Sequence, residues 1–144
     1  MTEEQVTKAI LKWLNQNKWK IYSFDFPQSG APGIRLHPDN AYDKTKNMII
    51  PDIIAYKNHF LLIMENKDKY YKNDFIKLNE LKYGNTYCKS LKDVLDKTKT
   101  TEIKIGIGLP EIFKKKCEKM TNLIDLILCV SDDLKCYIAY GFLL

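Results

Sequence analysis

The stretch Ile49-Ile50-Pro51-Asp52-Ile53-Ile54-Ala55-Tyr56-Lys57-Asn58-His59-Phe60-Leu61-Leu62-Ile63-Met64-Glu65-Asn66-Lys67 decides how the chain is read. Two apolar runs rich in β-branched and aromatic residues, Asp52 to Tyr56 and His59 to Glu65, flank a polar break at Lys57-Asn58, and this predicts a β-hairpin. Asn58 suits the break because asparagine tolerates positive φ. A turn centred between Lys57 and Asn58 pairs Tyr56 with His59 and, counting outwards, Asp52 with Ile63. Asp52 then lies diagonal to Glu65 on the same face.

Strand side chains alternate, so Leu61, Ile63, Glu65 and Lys67 share one face while Leu62, Met64 and Asn66 share the other. Both faces are apolar as far as Glu65, the pattern of a central strand covered on two sides. Charges in such a place need a partner. Diagonal residues in an antiparallel ladder are about 7–8 Å apart, a gap that two carboxylates close around a cation. Asp52, Glu65 and Lys67 thus converge at one end of the hairpin with negative charge left over, which suits a hard divalent metal held by oxygen. The alternative is structural: Asp52 caps an edge turn while Glu65 and Lys67 pair at a strand end.

Pro51-Asp52 followed on the next strand by Glu65-Asn66-Lys67 resembles the PD-(D/E)xK phosphodiesterase superfamily, which includes restriction endonucleases and Holliday junction resolvases. The resemblance extends over about Thr2 to Gly108, in the order helix, three strands, helix, strand. It implies an α/β fold of three layers, α/β/α, with a central mixed β-sheet of restriction-endonuclease-like form. It also implies a Mg²⁺-dependent DNA endonuclease, with Mn²⁺ as substitute, in which Asp52, Glu65 and the Asn66 backbone carbonyl hold the metal and Lys67 serves the reaction. A first-helix glutamate often approaches the metal in that family, which makes Glu3 a fourth candidate; Glu3 and Glu4 equally suit a helix N-terminus through its dipole. A small chain with one site needs a homodimer to cut both strands of a duplex. A Holliday junction resolvase and a catalytically idle module that binds DNA or protein stand as alternatives.

The 144 residues fit a single domain, with a nuclease-like core over about 2–108 and a C-terminal helix and hairpin over 109–144. One hydrophobic core is expected. A hydrophobic content of 45% and a charged content of 28% belong to a soluble protein, and no apolar run reaches the length of a membrane span. The start Thr2-Glu3-Glu4-Gln5 lacks the basic and apolar segments of a signal peptide, so a cytoplasmic location is expected. The net charge of +5 permits a polyanionic partner, yet of 23 basic residues only Arg35 is arginine, so phosphate contacts would rest on lysine point charges. Cys88, Cys117, Cys129 and Cys136 have no metal-binding spacing. Cys129 and Cys136 would face each other across a turn at Asp132-Asp133; a reduced pair is the expectation.

Along the chain, Thr2 and Gln5 form a capping box for a helix to about Asn17, with Val6, Ala9, Ile10, Trp13 and Leu14 as its apolar stripe. Trp19 to Phe26 reads as a strand. From Pro27 to about Met48 the chain turns to Pro, Gly, Ser, Asn and Asp, a connection long enough to border an active cleft, and it carries Arg35 and His37 as candidates for contact with phosphate or bases. Lys69 and Lys72 lie among tyrosines before a helix to about Tyr83, with Tyr71, Phe75, Leu78 and Leu81 on one face, and these lysines are candidate substrate contacts. A short helical turn is expected at Ser90 to Leu95, and a strand at Glu102 to Gly108 with isoleucines on one face and glycines on the other. Pro110 should open a helix that buries Ile112, Phe113, Cys117 and Met120. A last hairpin runs from Leu126 to Tyr140.

Overall fold

The computed structural model describes residues 1–25, 33–40 and 47–141, and its strands lie across one mixed sheet in the order of the sequence. They are β1 (Lys20–Phe24), β2 (Ile53–Lys57), β3 (Phe60–Asn66), β4 (Glu102–Pro110), β5 (Leu126–Val130) and β6 (Cys136–Tyr140). β1, β2 and β3 run antiparallel in succession, β3, β4 and β5 run parallel, and β6 returns antiparallel. Parallel neighbours need a crossover. Helices α2 (Lys72–Tyr83) and α3 (Cys88–Thr98) supply it between β3 and β4. A one-turn helix α4 (Lys114–Cys117), set between 3₁₀ turns, does so between β4 and β5. The fold is thus an α/β protein with a six-stranded mixed sheet packed against four helices.

Helix α1 (Glu3–Gln16) begins as its sequence requires. The Thr2 hydroxyl accepts from the Gln5 N–H at 3.1 Å while the Gln5 side chain accepts from the Thr2 N–H at 2.9 Å, closing the capping box. Its stripe of Val6, Ala9, Ile10 and Leu14 packs on Ile53, Ala55, Leu62, Met64, Leu126 and Leu128. Phe75, Leu78 and Leu81 of α2, with Leu91 and Val94 of α3, pack on Ile54, Leu61, Ile63, Ile105 and Ile107 across the other face. The sheet therefore separates two cores where one is expected from length alone, because strict alternation along β2 and β3 feeds apolar side chains to both faces. Glu65 shares the face of Leu61 and Ile63, beneath α2. Asp125 fixes α2 there: its Oδ2 accepts from the Ile105 N–H at 2.9 Å and from Lys82 Nζ at 2.8 Å.

The hairpin register differs from the expected one. Lys57 pairs with Phe60 and Ile53 with Met64, so the turn is Asn58-His59, one residue later than Lys57-Asn58, with Asn58 at a φ of 55°. Moving the turn by one residue moves every pairing by two, which preserves the faces. β1 is shorter than predicted, and Phe26 lies outside the described residues. The Pro27 to Met48 connection is described only at 33–40 and 47–48; there Leu36 bridges Ile49 and is fully buried, so this part is built into the core beside α2 and α3. Tyr71 stands before α2 and is 46% exposed, off the helix face assigned to it. The helix at Ser90 to Leu95 is longer than a turn, spanning Cys88–Thr98.

At the C-terminal side, Pro110 ends β4, and the expected helix breaks into 3₁₀ and α turns that leave Ile112 81% exposed while Cys117 and Met120 are buried. In the last hairpin Val130 pairs with Cys136 and Cys129 with Tyr137 across the loop Asp132-Asp133-Leu134, with Leu134 at a φ of 63°. The added loop residue sends Cys129 and Cys136 to opposite faces, and all four cysteines are free. Both outer strands carry an extra residue, Tyr22 in β1 and Ala139 in β6, where their registers shift. No helix of the described residues is long and apolar enough to cross a membrane.

Of the two glycines inside β4, Gly108 is the one against which α1 packs. A Cβ at Gly108 would lie 2.0 Å from Ile10 Cδ1 and 2.6 Å from Asn66 Oδ1, whereas one at Gly106 would meet Met64 Cε at 3.3 Å. Gly108→Ala should cost about 1–3 kcal/mol through overpacking, and Gly106→Ala should cost less. Urea unfolding of the two variants checks this; an equal loss would mean that α1 is not seated on Gly108.

Candidate active site

Counting one step beyond Ile53 and Met64 sets Asp52 directly opposite Glu65, a closer arrangement than the diagonal one expected. The Asp52 carbonyl accepts from the Asp25 N–H at 2.8 Å, which fixes its backbone at the mouth of the hairpin. The Asn66 N–H donates to Asp52 Oδ2 at 2.7 Å, tying the carboxylate to the end of β3. Lys67 follows where its N–H donates to the Gly108 carbonyl at 2.9 Å, so β4 holds the lysine's backbone as β2 holds the acid's. Glu65 is 6% exposed and Asn66 fully buried. The Asn66 side chain points to the α1 face: its Nδ2 donates to Thr7 Oγ1 at 3.3 Å, and its Oδ1 is buried without a hydrogen-bond partner.

Burial penalises charge on both acids; the charge of Asp52 raises Glu65 further, whereas the hydrogen bond from Glu65 lowers Asp52. Glu65 is pushed up to about 8, first by desolvation and then by the charge of Asp52, against the pull of Lys77 and Lys67. Asp52 rises to about 6, again chiefly by desolvation, with the Asn66 N–H opposing and the charge of Glu3 adding to the rise. A hydrogen bond from Glu65 also opposes the rise of Asp52. Desolvation works against the Lys67 ammonium, but the field of Asp74, Glu3, Glu65 and Asp52 outweighs it and holds the group above its ordinary value. Lys67 also lies 5.7 Å from the centre of the Tyr71 ring.

The structure therefore brings together Asp52, Glu65, Lys67 and Glu3, the last as an exposed residue within electrostatic reach of Asp52 and Lys67. Lys69 and Lys72 are exposed on the segment leading into α2. Arg35 is exposed, and His37 has its backbone docked on α3, where its N–H donates to Ser90 Oγ at 2.9 Å. Sequence reasoning missed Asp74 and Lys77, the α2 residues whose charges act on Glu65. Asp74 Oδ2 is buried without a hydrogen-bond partner, and burial raises this carboxyl while Lys67 and Lys77 oppose the rise. Helical spacing was the available signal: Asp74 and Lys77 each precede a buried residue, Phe75 and Leu78, and so flank the stripe that packs toward Glu65.

Whether this donor set fits a divalent cation turns on number and charge. Among the described residues no group of three or more His, Cys, Asp or Glu side chains is arranged to hold a metal. Mg²⁺ does not require one, since it keeps several waters and binds through one or two carboxylates together with substrate phosphate. Two neighbouring carboxyls, both driven toward protonation by burial and Glu65 also by the charge of Asp52, form a site that a hard cation would suit. The residues fit the group. No protein-family model, curated protein or solved structure matches the chain.

Raised carboxyls give the metal-free protein a pH signature of known sign. The folded chain holds protons that the unfolded chain has released, over about 3.8 to 6 for Asp52 and 4.5 to 8 for Glu65, so this contribution to stability is present at acid pH and is lost as pH rises through those windows. Thermal unfolding in chelator should show a melting temperature that falls from pH 5 to pH 8, and Glu65→Gln should remove most of the fall above pH 6. A wild-type profile matching that of the variant would show that Glu65 is not held protonated.

Proposed function

We propose that the chain is a metal-dependent phosphodiesterase acting on DNA, an endonuclease of the restriction-endonuclease-like type with three layers, α/β/α. The observation that carries this reading is the meeting of two acids, Asp52 and Glu65, at the mouth of the β2–β3 hairpin, where the Asn66 N–H holds Asp52 Oδ2 and the charge of Asp52 acts on Glu65, with Lys67 anchored beside them by β4. Asp52, Glu65 and the Asn66 backbone carbonyl would hold Mg²⁺. When bound, the ion would polarise a phosphate oxygen and lower the pKa of a water for in-line attack.

The protein groups have separable tasks. The Asn66 N–H fixes Asp52 Oδ2 and leaves its other oxygen for the ligand. Glu65 must lose its proton to become a ligand, so metal affinity should rise with pH. Lys67, held above its ordinary value, is an ammonium at neutral pH; it offsets negative charge that develops on the phosphate and does not act as a base toward water. Lys77 adds a second positive charge on the α2 side of Glu65. Phosphate contacts made by lysine weaken with salt through counterion release.

Metal binding and chemistry separate by mutation. Asp52→Asn should abolish cleavage and weaken Mn²⁺ binding by about tenfold or more, since it removes one of only two charged ligands. Lys67→Ala should retain or increase Mn²⁺ affinity while slowing cleavage by roughly 10²–10³-fold, the scale of one lost transition-state interaction. Calorimetric Mn²⁺ titration and cleavage of duplex, single-stranded and junction DNA test both variants. Equal metal affinity in all three proteins, or full activity in Asp52→Asn, would leave the hairpin charges as structural.

A further inference from the structure

At the opposite end of the β2–β3 hairpin from the acid pair, a cleft of about 420 Å³ is lined by Lys18, Lys20, Tyr56, Lys57, Asn58, Thr98 and Lys99. Three elements end there: α1 at Gln16, α3 at Thr98, and the hairpin at its Asn58-His59 turn. Lys18 and Lys99 both occupy the left-handed region, with φ of 70° and 56°, so each chain reversal places a lysine at the rim. From Asp52 to Lys57 the strand rises about 17 Å, which separates this cleft from the acid pair.

The charge there exceeds what the fold uses. A helix C-terminus carries roughly −0.5 of an elementary charge, so the ends of α1 and α3 together offset about one of the four lysines. Lys57 fills that role, its Nζ donating to the Asn17 carbonyl at 2.9 Å. Lys20 lies 5.9 Å from the centre of the Tyr56 ring, which steers its ammonium without neutralising it. Lys18, Lys20 and Lys99 make no ion pair with a described carboxylate, and Glu102, which begins β4 beside Phe60, is drawn instead to Lys104 at 3.8 Å. Among the described residues no acidic side chain lines the cleft. Asn58 adds an amide group of the kind that completes an oxyanion's hydrogen bonds, while the buried Thr98 hydroxyl is engaged by the Val94 carbonyl at 2.8 Å and by Thr100.

We infer that this cleft is an anion site that takes phosphate groups, distinct from the Asp52–Glu65 pair and independent of whether that pair cleaves anything. The same chemistry serves a phosphodiester strand or a free phosphate, and the two are separated by the probe. The test compares Lys20→Gln/Lys99→Gln with a control that loses the same charge elsewhere, Lys115→Gln/Lys119→Gln, all four positions being exposed. Binding of a fluorescent single-stranded oligonucleotide is followed by anisotropy across salt concentrations, and inorganic pyrophosphate is titrated against the backbone amide NMR signals of Thr98 and Lys99. The cleft variant should bind the oligonucleotide about 5–10-fold more weakly, with a salt slope shallower by roughly one per lysine removed, while the control binds as wild type. Pyrophosphate that shifts those amides in wild type but not in the cleft variant, with the oligonucleotide unaffected, identifies free phosphate as the ligand. Equal weakening in cleft variant and control reduces the effect to net charge and overturns the site. So does the absence of any response to either probe.

Discussion

Two carboxyls that face each other inside a folded sheet are an unfavourable arrangement, and much of this structure serves to hold it. Asp52 is fixed from below by the Asn66 N–H and along its backbone by Asp25, Glu65 is buried beneath α2, and Lys67 and Lys77 supply the nearby positive charge. These partners offset the desolvation without cancelling it, since both acids remain raised, chiefly by burial. A site left short of positive charge at one end of a well-packed hairpin is the pattern expected where the missing charge arrives with a ligand.

The rest of the fold explains why such a site is tolerated. Alternation along β2 and β3 gives each face its own core, so the acids interrupt only the end of one of them. α1 closes the opposite face on the bare backbone of Gly108, and its N-terminal Glu3 comes within electrostatic reach of Asp52 at the strand ends. Asp125 ties α2 to β4 and so holds Asp74 and Lys77 near Glu65. Side chains far apart in sequence thereby become one electrostatic unit.

Much of this was legible in the residues and some was not, for reasons that differ by case. The capping box at Thr2, the two-faced central strand and the glycines of β4 follow from local chemistry, and the structure has them where the sequence puts them. The hairpin was right in its faces and wrong in its register, because Lys-Asn and Asn-His turns are nearly equivalent locally and only pairing with β4 chooses between them. The C-terminal hairpin forms where it was expected but in another register, for the same reason: a loop extended to Leu134 in a left-handed conformation leaves no mark in composition. Ile112 shows the limit of periodicity, since a helix pattern broken by 3₁₀ turns exposes a side chain that regular spacing would bury. At the site, Asp52, Glu65 and Lys67 stand in one short stretch and could be read together, whereas Asp74 and Lys77 join them only once α2 has a place above β4.

The extra residues at Tyr22 and Ala139 bear on assembly. An edge strand with unpaired backbone groups invites a second copy to continue the sheet, and a bulge bends and twists the strand away from such pairing. This sheet carries a bulge on each of its outer strands. Two copies are therefore hindered from joining edge to edge into one longer sheet. A pair that set two acid sites against the two strands of a duplex would have to be built from helices and loops, with a twofold axis that leaves both sheet edges outside the interface.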